Sequence, residues 1–148
     1  MPAQATMLSP QQLIEAAKAP ILAYNEKNWD KVRATLAPGF VYDEVGTHRV
    51  AEGIDQVIAM WQGWAAAMPD SKATFRDAVA GGSLAVVEVT WTGTHKGPLQ
   101  LAAGTVPATG RRMEIRACMV TEMAGDKPKQ SRHYFDIATL LQQLGISA

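Results

Sequence analysis

Apolar residues in the first half of the chain recur at the three- and four-residue spacing that is typical of helices. A first helix is predicted after Ser9, which can cap it, with Pro10 in its first turn. Asn28 begins a second, shorter helix that ends before Pro38. A third helix follows Gly53, and its apolar stripe is so broad that it must pack against a sheet.

The second half of the chain alternates between apolar and polar residues, which is typical of half-buried strands. Strands are predicted at residues 72–79, 84–94, 111–123 and 129–135, after two short strands at 40–42 and 47–50. Helices followed by a run of antiparallel strands indicate an α+β protein. We expect one domain over residues 1–148, with a strongly curved antiparallel sheet that forms a cone or half-barrel around three helices and leaves a pocket at its mouth.

Residues 96–110 contain several glycines and prolines and are expected to form a long loop. Long loops in compact domains are often lids or binding elements, so this loop is expected to gate the mouth of the cone.

Composition excludes several classes of partner. The chain has 148 residues, a formal net charge of zero and no basic stripe, which argues against a nucleic acid or an anionic membrane as the main partner. No apolar run approaches the ~18 residues of a membrane span. Cys118 is the single cysteine, so no intrachain disulfide is possible, and a buried, inert thiol is expected. The first seven residues lack a secretory pattern, and we expect a cytoplasmic protein.

The candidate chemistry lies near the end of the chain, where Asp136 joins the last strand to a short apolar helix. Asp136 can be a helix N-cap, or it can be an acid–base group if apolar walls raise its pKa. Tyr134 shares its face and can donate a hydrogen bond, or it can be an ordinary core tyrosine. His95 ends the strand at 84–94 on the apolar side, where it can assist catalysis or bond to a backbone carbonyl.

Six further residues are candidates for a substrate-binding wall, although regularly spaced apolar residues are more often plain core. They are Tyr42, Trp61, Trp91, Met119, His133 and Phe135. Asp43, Glu44 and His48 span a turn without a third well-placed ligand, so no metal site is expected.

Several motifs resemble those of a known family. The run Thr-Gly-Thr-His-Lys-Gly-Pro at 92–98, the run Pro-Ala-Thr-Gly-Arg at 107–111, and Asp136 before Leu-Leu-Gln-Gln-Leu-Gly at 140–145 resemble the SnoaL-like polyketide cyclase and ester cyclase group. That group belongs to the cone-shaped superfamily of nuclear transport factor and ketosteroid isomerase. The resemblance implies an intramolecular aldol ring closure without cofactor or metal, with Asp136 as acid–base and His95 assisting. By strand parity, His133 should point away from Asp136.

Two main hypotheses follow. The first is a cofactor-independent cyclase or isomerase that acts on a small hydrophobic, polyketide-like molecule, with Asp136 in a dry, enclosed hollow. The second is a binding or assembly domain of the same shape without chemistry. A hydrolase that opens epoxides is a third, less favoured option. The resemblance also implies a homodimer through the outer face of the sheet, which carries Glu114, Arg116 and Glu122.

Overall fold

A curved six-stranded sheet organises the computed structural model, which describes residues 8–146. Its strands run in the order β2-β1-β8-β7-β4-β3, and a separate hairpin pairs β5 with β6. Every neighbouring pair is antiparallel except β1 and β8, which run parallel. The strands are β1 (Val41–Glu44), β2 (Arg49–Glu52), β3 (Lys72–Gly81), β4 (Leu84–Thr94), β5 (Leu99–Leu101), β6 (Gly104–Val106), β7 (Arg112–Ala124) and β8 (Lys127–Phe135).

In the part of the chain that the structure describes, four α-helices accompany the sheet, and a 3-10 turn at Val45–Thr47 separates β1 from β2. The capping box expected at Ser9 is present, since its hydroxyl accepts from the Gln12 N–H at 3.2 Å. Within residues 8–146, no helix is both long and apolar enough to cross a membrane. The α+β fold class is confirmed. The helices are α1 (Pro10–Asn25), α2 (Trp29–Thr35), α3 (Ile54–Ala67) and α4 (Ile137–Gln143).

Two apolar clusters fill the space under the sheet. The larger one packs α1, α2 and α3 against the inner faces of β1, β3, β4 and β7. The smaller one joins the end of α3 to the β5–β6 hairpin, to β7 and to α4. Trp91 and Phe135 pack against both clusters, so they mark the place where the two meet.

The expectation of a long loop at residues 96–110 is wrong, because the segment contains the β5–β6 hairpin. Its strands are only three residues long, which is too short for alternation to reveal them. The base of the hairpin is fastened to the end of α3, since the Lys96 and Gly97 N–H groups donate to the Ala67 carbonyl at 2.9 and 3.0 Å. Leu99 is 1% exposed and anchors the hairpin in the smaller cluster.

Candidate active site

An apolar cavity lies between the two clusters, with a volume of about 70 Å³. A single water needs only roughly 10–15 Å³ on this scale, so the space holds several water-sized groups. Nearly all of its surface is apolar, and the polar groups that reach it are few. The wall consists of Pro20, Ile21, Tyr24, Tyr42, Trp61, Trp64, Met68, Ser71, Trp91, Met113, Ile115, Met119, His133, Phe135 and Leu140.

The six residues that the sequence singled out as candidate wall residues all line this cavity. Five of them lie on the strands β1, β4, β7 and β8, where alternate side chains point to the inner face of the sheet. The sixth, Trp61, reaches the cavity from α3. The six are Tyr42, Trp61, Trp91, Met119, His133 and Phe135.

His133 is a titratable side chain in the cavity wall, and both of its ring nitrogens have hydrogen-bond partners. It is 7% exposed, its Nδ1 lies 2.7 Å from the Tyr42 hydroxyl, and its Nε2 lies 3.2 Å from the Trp91 indole nitrogen. An indole N–H only donates, so Nε2 accepts and the proton of the neutral ring sits on Nδ1. Burial lowers the pKa of His133 from 6.5 to about 4, although the nearby charge of Glu44 acts in the opposite direction.

The carboxylate of Glu44 lies behind Tyr42 and has no exposed surface. Its Oε2 accepts from the Tyr42 hydroxyl at 3.1 Å and from the Trp64 indole N–H at 2.9 Å. Its Oε1 accepts from the Arg49 guanidinium at 2.7 Å and from the Thr47 hydroxyl. A buried charge is tolerated only with such partners, and Arg49 supplies the compensating charge.

Together these side chains form a directed chain of hydrogen bonds. The Trp91 N–H donates to His133, whose Nδ1–H donates to Tyr42, whose hydroxyl donates to Glu44. Burial, and then the charge of Glu44, raises the pKa of Tyr42 well above its usual range, so its hydroxyl keeps its proton. The chain connects a ring nitrogen at the cavity to a fixed negative charge, and every donor in it has an acceptor. We refer to Trp91, His133, Tyr42 and Glu44 as the His133 network.

Sequence reasoning missed Glu44 as a functional candidate. The first short strand was expected to end at Tyr42, with Asp43 and Glu44 in the following turn, whereas β1 runs to Glu44. In a strand of this length, Tyr42 and Glu44 share the inner face and Asp43 points outward. Alternation would have found Glu44 if the strand end had been placed two residues later.

The expected location of Asp136 in an enclosed hollow is wrong. Asp136 is exposed to solvent and caps α4, where its carboxylate accepts from the Thr139 N–H at 3.2 Å and from the Thr139 hydroxyl at 2.7 Å. These hydrogen bonds, the one from the hydroxyl first, lower the pKa of Asp136 below its ordinary value. An exposed carboxylate with a depressed pKa is a poor base, so the structural alternative, a helix cap, describes this residue.

Tyr134 and His95 are also placed away from the cavity. Tyr134 is 42% exposed on the outer face of β8, and it does not line the wall. His95 is fully buried on the inner side, as expected, but its Nδ1 accepts from the Thr109 N–H at 3.2 Å at the base of the hairpin. His95 therefore fastens residues 96–110, and none of those residues lines the cavity.

Strand parity for His133 holds, since this side chain faces the cavity while Asp136 faces solvent. Cys118 is half-buried on the outer face of β7 and not in the core as expected, and burial raises the pKa of its thiol.

Comparison with known proteins identifies relatives of this arrangement. The family model described as SnoaL-like polyketide cyclase matches residues 14–144. The structure of TsrD from Streptomyces laurentii is 24% identical with a TM-score of 0.81, and the match covers 95% of this chain and 100% of that one. Wild-type IdmH from Streptomyces antibioticus is 24% identical with a TM-score of 0.76, covering 91% of this chain and 99% of that one.

A third solved structure has the same fold at lower identity. An LEH-like epoxide hydrolase from M. tuberculosis is 19% identical with a TM-score of 0.70, covering 91% of this chain and 90% of that one. No curated protein matches the chain. At these identities, the likeness to the three solved structures shows the fold alone.

Proposed function

The chain belongs to the SnoaL-like polyketide cyclase family, and from the geometry of its cavity we propose that it is a cofactor-independent acid–base enzyme. Its substrate is a compact, hydrophobic carbonyl compound, and its reaction begins with removal of a proton from the carbon next to the carbonyl. An aldol cyclisation or an isomerisation both start with this step. The observation that carries the proposal is that His133, in the cavity wall, is hydrogen-bonded through Tyr42 to the buried carboxylate of Glu44.

His133 acts as the proton acceptor in this proposal. With a pKa of about 4 its ring is neutral at pH 7, so Nε2 has a lone pair available once a substrate displaces the Trp91 indole. When Nε2 takes the proton, the ring becomes an imidazolium that still donates through Nδ1 to Tyr42. The Glu44 carboxylate then stabilises the new charge through the Tyr42 hydroxyl, much as a carboxylate supports the histidine of a hydrolytic triad.

The apolar wall contributes by excluding water. In a dry cavity, hydrogen bonds and charges act more strongly than they do in water, so a fixed carboxylate behind Tyr42 has a larger effect on His133. The aromatic side chains also offer flat surfaces to a planar substrate.

A second candidate function is binding without chemistry, and one feature favours it. Every donor of the His133 network already has an acceptor, and a histidine with a pKa of about 4 is a weak base at rest. Epoxide opening is less well supported, because it needs a carboxylate that reaches water and Glu44 has no exposed surface.

Proton exchange provides a test that does not require the natural substrate. We expect the protein in D₂O to accelerate deuterium incorporation at C2 of 1-indanone, measured by proton NMR. The substitution His133→Gln should reduce this acceleration by about 100-fold, in the range of a lost general base. Asp136→Asn is the matched control and should keep the rate, because Asp136 faces solvent.

Two outcomes of this experiment contradict the proposal. One is an exchange rate with the native protein that does not exceed that of buffer, which favours the binding function. The other is full acceleration with His133→Gln, which removes His133 as the base.

We also propose that the protein forms a homodimer through the outer face of the sheet. This face carries charges of both signs, including Glu114 and Arg116 on β7 and the half-buried pair of Glu122 with Arg132 at 3.9 Å. A two-fold axis brings the same surface of two copies together, so a face with interspersed charges can be complementary to itself. Tyr134 adds exposed aromatic surface to this region.

A further inference from the structure

A second polar feature of the cavity wall lies apart from the His133 network. Tyr24 from α1 and Ser71, which follows α3, both line the cavity, and their hydroxyl oxygens are 2.6 Å apart. Tyr24 is 5% exposed and Ser71 is 4% exposed, so both side chains are almost fully buried. We refer to these two side chains as the hydroxyl pair.

The hydroxyl pair carries one more hydrogen than its mutual bond uses. Two hydroxyls have two hydrogens, and a single hydrogen bond between them occupies one. Among residues 8–146, this is the one hydrogen bond with acceptable distance and angles that either hydroxyl oxygen makes. One O–H donor is therefore left without an acceptor next to the cavity, and an unmade hydrogen bond of this kind is costly when buried.

The surroundings of the hydroxyl pair favour a ligand atom with negative character. The Lys27 ammonium donates to the Ser71 carbonyl and lies 4.3 Å from the centroid of the Tyr24 ring. Burial raises the pKa of Tyr24 to about 12, so its hydroxyl keeps its hydrogen at neutral pH. A cation close to a donor favours an acceptor oxygen over a cationic group.

The two polar features of the cavity are separated by one aromatic ring. The Trp91 ring lies 5.4 Å from the Tyr24 ring and 6.0 Å from the His133 ring, measured between centroids. A compact ligand that fills the cavity can therefore contact both. The difference between them is that the donors of the His133 network are all used, whereas the hydroxyl pair has one to spare.

We propose that the hydroxyl pair of Tyr24 and Ser71 binds an acceptor oxygen of the ligand, such as a ketone oxygen, and so selects oxygenated over purely hydrocarbon molecules. The proposal rests on the proposed function, since it defines how the same cavity recognises its substrate. It adds a specificity site that contacts the Trp91 ring, as His133 does.

Ligand discrimination tests this inference without any turnover. The probes are 1-indanone and indane, which share one bicyclic frame and differ in the carbonyl, and their dissociation constants are measured by amide and indole shifts in protein NMR. The measured quantity is the dissociation constant of indane divided by that of 1-indanone, so a high ratio means that the carbonyl compound binds more tightly. The double substitution Tyr24→Phe with Ser71→Ala should lower this ratio about fivefold, as expected for one lost hydrogen bond.

The single substitutions give a sharper expectation. Tyr24→Phe leaves the Ser71 hydrogen free, and Ser71→Ala leaves the Tyr24 hydrogen free, so each single variant still offers one donor. Each should change the ratio by less than about twofold, because the number of free donors stays at one. A plain packing role of these side chains predicts no such difference between single and double variants.

A matched control is available elsewhere in the fold. Thr121 and Ser131 form another buried hydroxyl pair, 2.8 Å apart, that does not line the cavity. Thr121→Val with Ser131→Ala removes the same kind of hydrogen bond and should leave the ratio unchanged. An equal fall in this control overturns the inference, and so does an unchanged ratio in the Tyr24 and Ser71 double variant.

The native protein provides an independent measurement if the double variant does not fold. The carbonyl stretching band of bound 1-indanone should lie at lower wavenumber than in a hydrocarbon solvent, because the carbonyl oxygen accepts a hydrogen bond. A band at the hydrocarbon position overturns the inference. A protein that shows the ratio change but no proton exchange keeps the hydroxyl pair as a binding site and rejects the enzymatic proposal.

Discussion

At the scale of single residues, two buried side chains, His133 in the cavity wall and Glu44 behind it, have different surroundings. Glu44 has no exposed surface but is surrounded by donors, including the charged Arg49, so its environment suits an anion. The His133 ring is neutral, and of its two partners the Tyr42 hydroxyl accepts from Nδ1–H and the Trp91 indole N–H donates to Nε2. The network therefore places the Glu44 carboxylate and the neutral His133 ring on either end of the Tyr42 hydroxyl.

Removal of the Glu44 charge should destabilise the fold. Glu44→Gln leaves the Arg49 guanidinium, whose side chain is 32% exposed, without its carboxylate and weakens the bond from Tyr42, and the loss of such a charged hydrogen bond costs about 2 kcal/mol. Urea denaturation measures the loss as a lower transition midpoint. Glu52→Gln, on the exposed side of the neighbouring strand β2, is the control and should stay near the native value. Equal midpoints for the two variants would show that the Glu44 charge is not needed for stability.

His133 should make the stability depend on pH in a defined window. Its pKa is about 4 in the folded state and about 6.5 when unfolded, so below pH 6.5 the unfolded state binds a proton that the folded state does not. Stability should therefore fall as the pH drops from about 6.5 to 4, by about 3 kcal/mol in total, and stay level above that window.

The measurement for His133 is a comparison of unfolding free energies at pH 7 and pH 4.5. The variant His133→Gln cannot titrate, so its loss over this range should be smaller than that of the native protein. Carboxylates titrate in both proteins and cancel in the difference. Parallel pH profiles would contradict the depressed pKa of His133.

Alternation along the strands was sufficient to predict five residues of the cavity wall, because the inner face of a strand follows from its sequence alone. It could not predict the His133 network, whose members Tyr42 and His133 are 91 positions apart and meet only because β1 pairs with β8. Asp136 shows a second limit of prediction from sequence, which is that one signal can have two meanings. A carboxylate between strand and helix has the same sequence signal whether it caps or catalyses, and only its exposure decides.

At the scale of elements, the β5–β6 hairpin behaves as a packed part of the smaller cluster. Its base is bound to the end of α3 and to His95, and Gly97 lies directly against the backbone of that helix. A Cβ atom at Gly97 would be 2.2 Å from the Ala66 carbonyl oxygen, which is closer than atoms can approach. The close approach explains why the position needs glycine.

Two glycine-to-alanine substitutions should consequently have opposite effects. Gly97→Ala forces the hairpin base away from α3 and should destabilise the protein. Gly63→Ala lies inside α3 with open space around the added Cβ, so it should stabilise the helix by up to about 1 kcal/mol. Thermal unfolding of the two variants compares them directly. A tolerated Gly97→Ala would mean that the hairpin moves freely, as a gating element would.

At the scale of the whole molecule, the two faces of the same sheet carry different side chains. The inner side chains of β4, β7 and β8 build the cavity, whereas the outer ones carry charges and the exposed Tyr134. Because successive residues of a strand point to opposite faces, substitutions on one face leave the other largely unchanged. Self-association can therefore be tested without disturbing the cavity.

Charge reversal at Arg116 should weaken the proposed homodimer. Arg116 lies on the outer face of β7, opposite Thr90 of β4, and replacing its positive charge with a negative one gives this row of the face an excess of negative charge. In a two-fold contact, the variant Arg116→Glu meets the acidic side chains of its partner copy, and we expect the dissociation constant to rise roughly tenfold, which corresponds to about 1.4 kcal/mol.

Arg76→Glu, exposed on the edge strand β3, makes the same change in charge and should leave the constant unaffected. Sedimentation velocity at micromolar concentration measures both variants. A native protein that sediments as a monomer under these conditions contradicts the dimer, and equal effects of the two variants would place the contact elsewhere.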